Sequence, residues 1–188
     1  VHDDGNNQDT LQARVNGYLQ LNQNKYPTQA IHRIDYETSG LVLFCKHPFF
    51  QAYCDKNMEE HHIKKEYIAL VQGHTNYKNK KIISNIAKDR HNAKKMIIHP
   101  NGKESVSIFN TLKNYKDCSL IQVTILTGRK HQIRVQCASL NHPILNDPLY
   151  GGKKIDNTGL LLQSHHIQFN DVDITCPQEK RFIRRISK

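Results

Sequence analysis

The amino-acid sequence predicts an α+β fold, rich in strands with a few helices beside them. Three patterns carry that prediction. Lys64 to Gly73, K-K-E-Y-I-A-L-V-Q-G, reads as a strand with apolar residues on both faces, as expected for the centre of a sheet. Glu104 to Asn110 and Leu120 to Leu126 alternate in polarity and read as two strands joined by a turn near Asn114 to Asp117. Leu11, Val15, Tyr18 and Leu19 recur at helical spacing, as do Ile133, Val135, Cys137, Ala138 and Leu140. The chain of 188 residues is long enough for one domain with a real core, or at most two small ones.

In order along the chain, Val1 to Asp9 is polar and reads as a terminus or loop. Asp9 or Thr10 is placed to cap the first helix, and Pro27 lies beyond its end. Leu41 to Cys45 follows Thr38, Ser39 and Gly40. A turn of small residues feeding a short apolar run reads as a strand buried on both faces. Pro48 opens a second helix, with Phe49, Ala52, Tyr53 and Met58 on its partly apolar side; the polar run Glu59 to His62 ends it. Gly128 breaks the strand before the third helix, and Asn141 and Pro143 stop that helix. Leu160 to Phe169 reads as a late strand in which one of His165 and His166 packs inward and the other faces out. The tail from Lys180, five basic residues around Phe182, Ile183 and Ile186, reads as a last strand or a frayed end.

The charge balance narrows the partner. Basic residues exceed acidic ones by ten, which points to a polyanion, either nucleic acid or a membrane surface. No apolar run approaches the ~20 residues of a membrane span. Between Lys78 and Lys103 lie eight basic residues against one acid, Asp89. Such a run is usually a solvated face. This one is contiguous and supplies most of the excess, so it is read as a phosphate-contacting surface, with Lys94 and Lys95 at its centre. The five cysteines are widely spaced and form no C-x-x-C, which fits reduced thiols in the cytoplasm rather than a disulfide framework. No phosphate-cradling glycine motif and no metal-spaced His/Cys cluster is present, and no metal or cofactor is expected.

The densest chemistry lies just before Gly40. Ile31 to Lys46 reads I-H-R-I-D-Y-E-T-S-G-L-V-L-F-C-K, with His32, Arg33, Asp35 and Glu37 crowded against the apolar run. Alone, Asp35 would be a turn former and Tyr67 a core aromatic. Three strings together say more. I-H-R-I-D-Y-E-T-S-G-L-V-L-F-C-K, K-K-E-Y-I-A-L-V-Q-G and T-G-R-K-H-Q-I-R-V (Thr127 to Val135) resemble the motifs of the RluA-type pseudouridine synthases. Leu145, Asp147, Tyr150 and Gly151 continue the third motif. The chain departs from the family pattern at Asn141 and Asn146, where glycine is usual. Asn tolerates a left-handed backbone better than most residues, so the loop is expected to keep its shape.

The resemblance implies a mixed, mainly antiparallel sheet with flanking helices, in a single catalytic domain over residues 1–188 that lacks the family's N-terminal portion. It implies isomerisation of uridine to pseudouridine in ribosomal or transfer RNA, with no cofactor and no metal, by a cytoplasmic enzyme, here expected as a monomer. Asp35 falls on the catalytic aspartate, Tyr67 on the tyrosine that sits against the target base, and Arg134 on the arginine that pairs with the aspartate, here expected as a bidentate pair. Arg33 falls on an arginine near the RNA. His32, Thr38, Arg129, His131 and Gln132 are likewise expected at substrate or RNA. Two other readings compete. An RNA-binding module without turnover fits the charge equally well, but would be expected to have lost one of Asp35, Tyr67 and Arg134. A zinc-dependent deaminase lacks its H-x-E and P-C-x-x-C pattern.

Overall fold

A computed structural model describes residues 10–186. The expectations for Val1 to Asp9 and for the last two residues lie outside them. The chain forms two compact units. One takes the chain up to Ile34 together with Val42–Ile63; the other takes Asp35–Leu41 and Lys64–Lys188.

In the first unit, helix α1 (Leu11–Leu21) is capped by Thr10, whose hydroxyl accepts from Ala13 N–H at 3.1 Å. Its expected apolar face is not the buried one: Gln12 is buried, whereas Tyr18 and Leu21 are exposed. The Gln12 amide explains this, because it donates to the Thr28 carbonyl at 2.6 Å and to the Thr28 hydroxyl at 3.0 Å. Strands β1 (Gln29–Ala30) and β3 (Phe44–Cys45) pair antiparallel. Pro48 opens a 3-10 turn that runs into α2 (Gln51–Glu59), so the helix starts and stops where expected. All five cysteines are free thiols.

The second unit is built on one sheet, eight-stranded among the described residues. Its order is β10 (Val172–Thr175), β9 (Leu162–Phe169), β4 (Lys64–Gln72), β8 (Cys118–Ile125), β7 (Lys103–Asn114), β5 (Lys80–Lys88) and β6 (Met96–Ile98). The eighth strand, β2 (Ser39–Gly40), runs parallel to β9, and every other pairing is antiparallel. The fold is therefore α+β with a mixed, mainly antiparallel sheet, as the sequence predicts. Strand β4 is central and buried nearly throughout, with β8 and β9 on its two sides. Helix α3 (Gln132–Ser139) lies over β5 and β6, and Asn141 and Asn146 hold φ of 62° and 61°, the left-handed backbone expected of them.

Two expectations are corrected. The run Leu41 to Cys45 is not one buried strand: Leu41 to Phe44 are half-buried, and the run is divided between β3 in the first unit and a residue following β2 in the second. Gly40, at φ +100°, gives the physical reason. Its Cα lies so close to the Ser164 carbonyl that a Cβ has no room, and the tight bend sends β2 to β9 before the chain leaves for β3. The tail is neither strand nor frayed end. Lys180–Ile186 forms helix α4, anchored by the fully buried Phe182. Arg181 donates to the Ser39 hydroxyl at 2.6 Å and Arg185 to Asp117. His165 and His166 are both half-buried; His166 bridges Glu66 at 2.9 Å and Asp173 at 2.8 Å. No helix among the described residues is long and apolar enough to cross a membrane.

Candidate active site

The site begins with a turn. Thr38 N–H donates to the Asp35 carbonyl at 3.0 Å, and β2 follows at once, paired with Gln163 and Ser164 of β9. On the other side of β9, Ser164 lies opposite Tyr67 of β4. The pairing shifts there by one residue, so His165 is left out of the ladder; such a bulge re-aims the side chains around it. Register thus brings the Asp35 turn and Tyr67, 32 positions apart in the chain, to the same stretch of β9.

Tyr67 is buried, and burial pushes its phenol up to about 12, with the negative charge of Asp35 adding to the effect. It is a neutral hydroxyl at physiological pH. The Asp35 charge also reaches Arg134 of α3 and Tyr150. Burial works against the Arg134 charge, but Asp147, and after it Asp35, hold its pKa above the usual arginine value. The fork of Arg134 is not aimed as expected. Its Nε and Nη2 each donate at 2.8 Å to the two oxygens of Asp147, so the bidentate partner seen here is Asp147, while the Asp35 charge adds to the rise in the Arg134 pKa. Asp147 has no exposure at all, and Glu37 stands 3.9 Å from Arg134 on the open side.

Helix α3 carries Arg134 on an unusually polar seat. Gln132 is buried and uses every polar atom of its amide. Its Oε1 accepts from the Thr127 hydroxyl at 2.8 Å and Arg129 N–H at 3.0 Å; its Nε2 donates to the Val106 carbonyl at 3.1 Å and the Ser107 hydroxyl at 2.8 Å. One turn on, Gln136 repeats the pattern against Ser84, Ser105 and Ser107. His131 precedes the helix at φ +56°, with Nδ1 2.8 Å from the Tyr150 hydroxyl. Burial, with Arg134 and Lys130 nearby, brings its pKa down to about 4, so the imidazole is neutral.

The remaining expected residues are placed as follows. Thr38 is buried, and its hydroxyl oxygen has no hydrogen-bond partner among the described residues. Arg129 is exposed, and its Nε donates to the Glu104 carbonyl at 2.9 Å. It lines a groove of about 500 Å³ with Lys88, Lys103 and Lys130. Lys94 and Lys95 lie in the connection between β5 and β6. His32 and Arg33 belong to the first unit: His32 Nε2 accepts from Leu43 N–H at 3.1 Å, and Arg33 is exposed. Asp147 and Tyr150 belong to the third motif, but the sequence assigns them no role. Asp147 is one acid in a proline turn, and only the folded chain reveals the arginine above it.

Asp35, Tyr67 and Arg134 thus all belong to the second unit. A family profile described as RNA pseudouridylate synthase matches residues 1–139. The chain belongs to this family. An uncharacterized RNA pseudouridine synthase of Bacillus subtilis is 36% identical over 145 residues, covering 76% of this chain and 48% of that protein. A ribosomal large subunit pseudouridine synthase C of Buchnera aphidicola is 41% identical over 128 residues, covering 67% of this chain and 41% of that protein. Together with a ribosomal large subunit pseudouridine synthase D of Borreliella burgdorferi, 31% identical over 175 residues with 90% of this chain and 52% of that protein covered, it bears out the RluA-type resemblance. The chain spans about half the length of the curated relatives it matches. Among solved structures, human RNA Pseudouridylate Synthase Domain Containing 1 superimposes with a TM-score of 0.78 at 24% identity, over 94% of this chain and 77% of that one. At that identity the likeness speaks for the fold.

Proposed function

We propose that the protein is an RNA pseudouridine synthase, converting particular uridines of ribosomal or transfer RNA to pseudouridine in the cytoplasm. One observation carries the reading: Asp35, Tyr67 and Arg134, distant in sequence, share one electrostatic neighbourhood in the second unit. Family membership, relatives named for the large ribosomal subunit and the net charge of +10 support it.

The reaction is an isomerisation. The bond from the sugar to N1 of uracil breaks, the base turns, and a bond to C5 forms; C5 loses a proton and N1 gains one. No electrons or groups enter from outside. A uridine within a helix must first be flipped out, at a cost of a few kcal/mol that is least in loops. Tyr67 offers an uncharged aromatic face to the extruded base. Asp35 acts as a carboxylate, whether it attacks the substrate or removes a proton from the sugar. Arg134, kept cationic by Asp147, stabilises that carboxylate through space. Gln132 and His131 hold the start of the helix that carries Arg134, and Arg33, Arg129, Lys94 and Lys95 contact RNA.

The test is Asp35→Asn. Tritium release from C5-labelled uridine in transcribed ribosomal RNA reads turnover, and filter binding reads affinity. A folded variant that binds RNA and releases no tritium is the expected result. Turnover near the parent rate removes Asp35 from the chemistry. A parent chain that binds RNA and converts none would favour the RNA-binding module instead.

A further inference from the structure

Tyr150 has no part in the chemistry above, yet it joins three pieces of the second unit. It closes the 3-10 turn Pro148–Tyr150, and its N–H and that of Gly152 both donate to the Asp147 carbonyl, at 3.2 and 2.7 Å. Gly152 has no room for a Cβ against the Ile144 carbonyl, so only glycine fits this close approach. Two hydrogen bonds thus tie the Tyr150 turn to Asp147, the bidentate partner of Arg134.

The side chain then reaches across to two other elements. Its hydroxyl accepts from Met96 N–H at 2.8 Å and lies 2.8 Å from His131 Nδ1. A hydroxyl has one proton and two lone pairs, and a neutral imidazole offers one acceptor nitrogen; accepting from Met96 and donating to His131 satisfies all three groups. Met96 opens β6, the edge strand of the basic hairpin that β5 and β6 form, where no further strand among the described residues supplies an acceptor. The Tyr150 ring sits 5.1 Å from the Arg134 guanidinium and 5.7 Å from Lys95 Nζ, and it forms an apolar cluster with Ile86 and Val135 on which Met96 packs. One buried side chain thus touches the hairpin, the loop before α3, and Arg134 itself.

We infer that Tyr150 is a positioning residue that registers the basic hairpin on the Arg134–Asp147 pair, so that RNA seated on the hairpin is felt at Arg134. The inference rests on the proposed reading that the hairpin contacts RNA. Tyr150→Phe tests it, because it deletes both hydrogen bonds and keeps the ring against Arg134. In the parent protein, Lys94→Ala is expected to lower the single-turnover rate at saturating RNA about fivefold, beyond its effect on affinity. In the Tyr150→Phe background it should still weaken binding but change that rate less than about twofold. Equal changes in rate in the two backgrounds, or none in the parent, overturn the proposal.

A second readout needs no turnover. Binding of a short uridine-containing stem–loop RNA should shift the Arg134 Nε–H resonance in the parent, and should shift it less than half as far in Tyr150→Phe at equal saturation. An unchanged resonance in the RNA-bound parent overturns the joint. If the parent binds the stem–loop and shifts this resonance but never forms pseudouridine, the proposed activity fails while the joint stands.

Discussion

At the scale of single residues, the site is governed by where charge is allowed to be buried. Arg134 and Asp147 are both withdrawn from water, and each is tolerable only because of the other. Arg134→Met should therefore strand the Asp147 carboxylate and cost ~3–5 kcal/mol in chemical denaturation. Adding Asp147→Asn should recover part of that loss, since the stranded charge is gone. A double variant no more stable than Arg134→Met would mean that Asp147 is not the group Arg134 compensates. His131 gives a pH signature. Its folded pKa, about 4, lies below its ordinary 6.5. Between these values the unfolded chain binds the proton and the folded chain does not. The stabilising difference is complete above about pH 6.5 and is lost as pH falls towards 4, in total about 3 kcal/mol. Asn tolerates the left-handed backbone at this position, so His131→Asn should fold. Its melting temperature should fall less than that of the parent between pH 7 and pH 5. Parallel losses in the two proteins would place the titration elsewhere.

At the scale of elements, two short pieces of chain decide where the chemistry sits. Strand β2 has only two residues, yet it carries the Asp35 turn to β9, and Gly40 allows the approach. Gly40→Ala meets both a disfavoured φ and the Ser164 carbonyl. It should destabilise the protein by more than about 1 kcal/mol and depress turnover more than RNA affinity. Intact turnover in a stable Gly40→Ala protein would show that β2 does not set the position of Asp35. Helix α3 is the second piece. Its residues from Gln132 to Cys137 are all buried, so it lacks the one-sided apolar stripe of a surface helix. Hydrogen bonds from Gln132 and Gln136 to serines of the sheet replace that stripe, and they fix the rotation of the helix that aims Arg134.

At the scale of the molecule, the excess of ten positive charges is concentrated rather than spread. The hairpin and its flanks supply most of it, and Lys88, Lys103, Arg129 and Lys130 turn one side into a cationic groove. Replacing Lys94 and Lys95 by alanine should weaken RNA binding and flatten its salt dependence, by about 0.7–0.9 in the log–log slope for each phosphate no longer neutralised. A titration from low to moderate salt measures it. An unchanged slope would reduce this stretch to a solvated face.

Strands β4, β7, β8 and β9 and helix α3 of the second unit are legible in the sequence because their signals are local: apolar residues on both faces of β4, alternation in β7 and β8, helical spacing after Gly128. The positions of Asp35, Tyr67 and Arg134 within recognisable motifs are legible for the same reason. The helical tail is not: Phe182 and Ile186 stand four residues apart, but three apolar residues in so short a run do not separate helix from strand, and the burial of Phe182 comes from the rest of the fold. Nor is the division of Leu41 to Cys45, because an apolar run reports hydrophobicity and not which sheet will take it. Pairing is the least visible of all. Arg134 and Asp147 are 13 positions apart, and a bidentate contact depends on how α3 is turned, which its polar bonds to the sheet decide. The sequence alone determined which side chains are available for chemistry, since that is a matter of residue type and motif. Only the tertiary structure decided which of them meet, because hydrogen-bond geometry and close approach exist only between elements already packed.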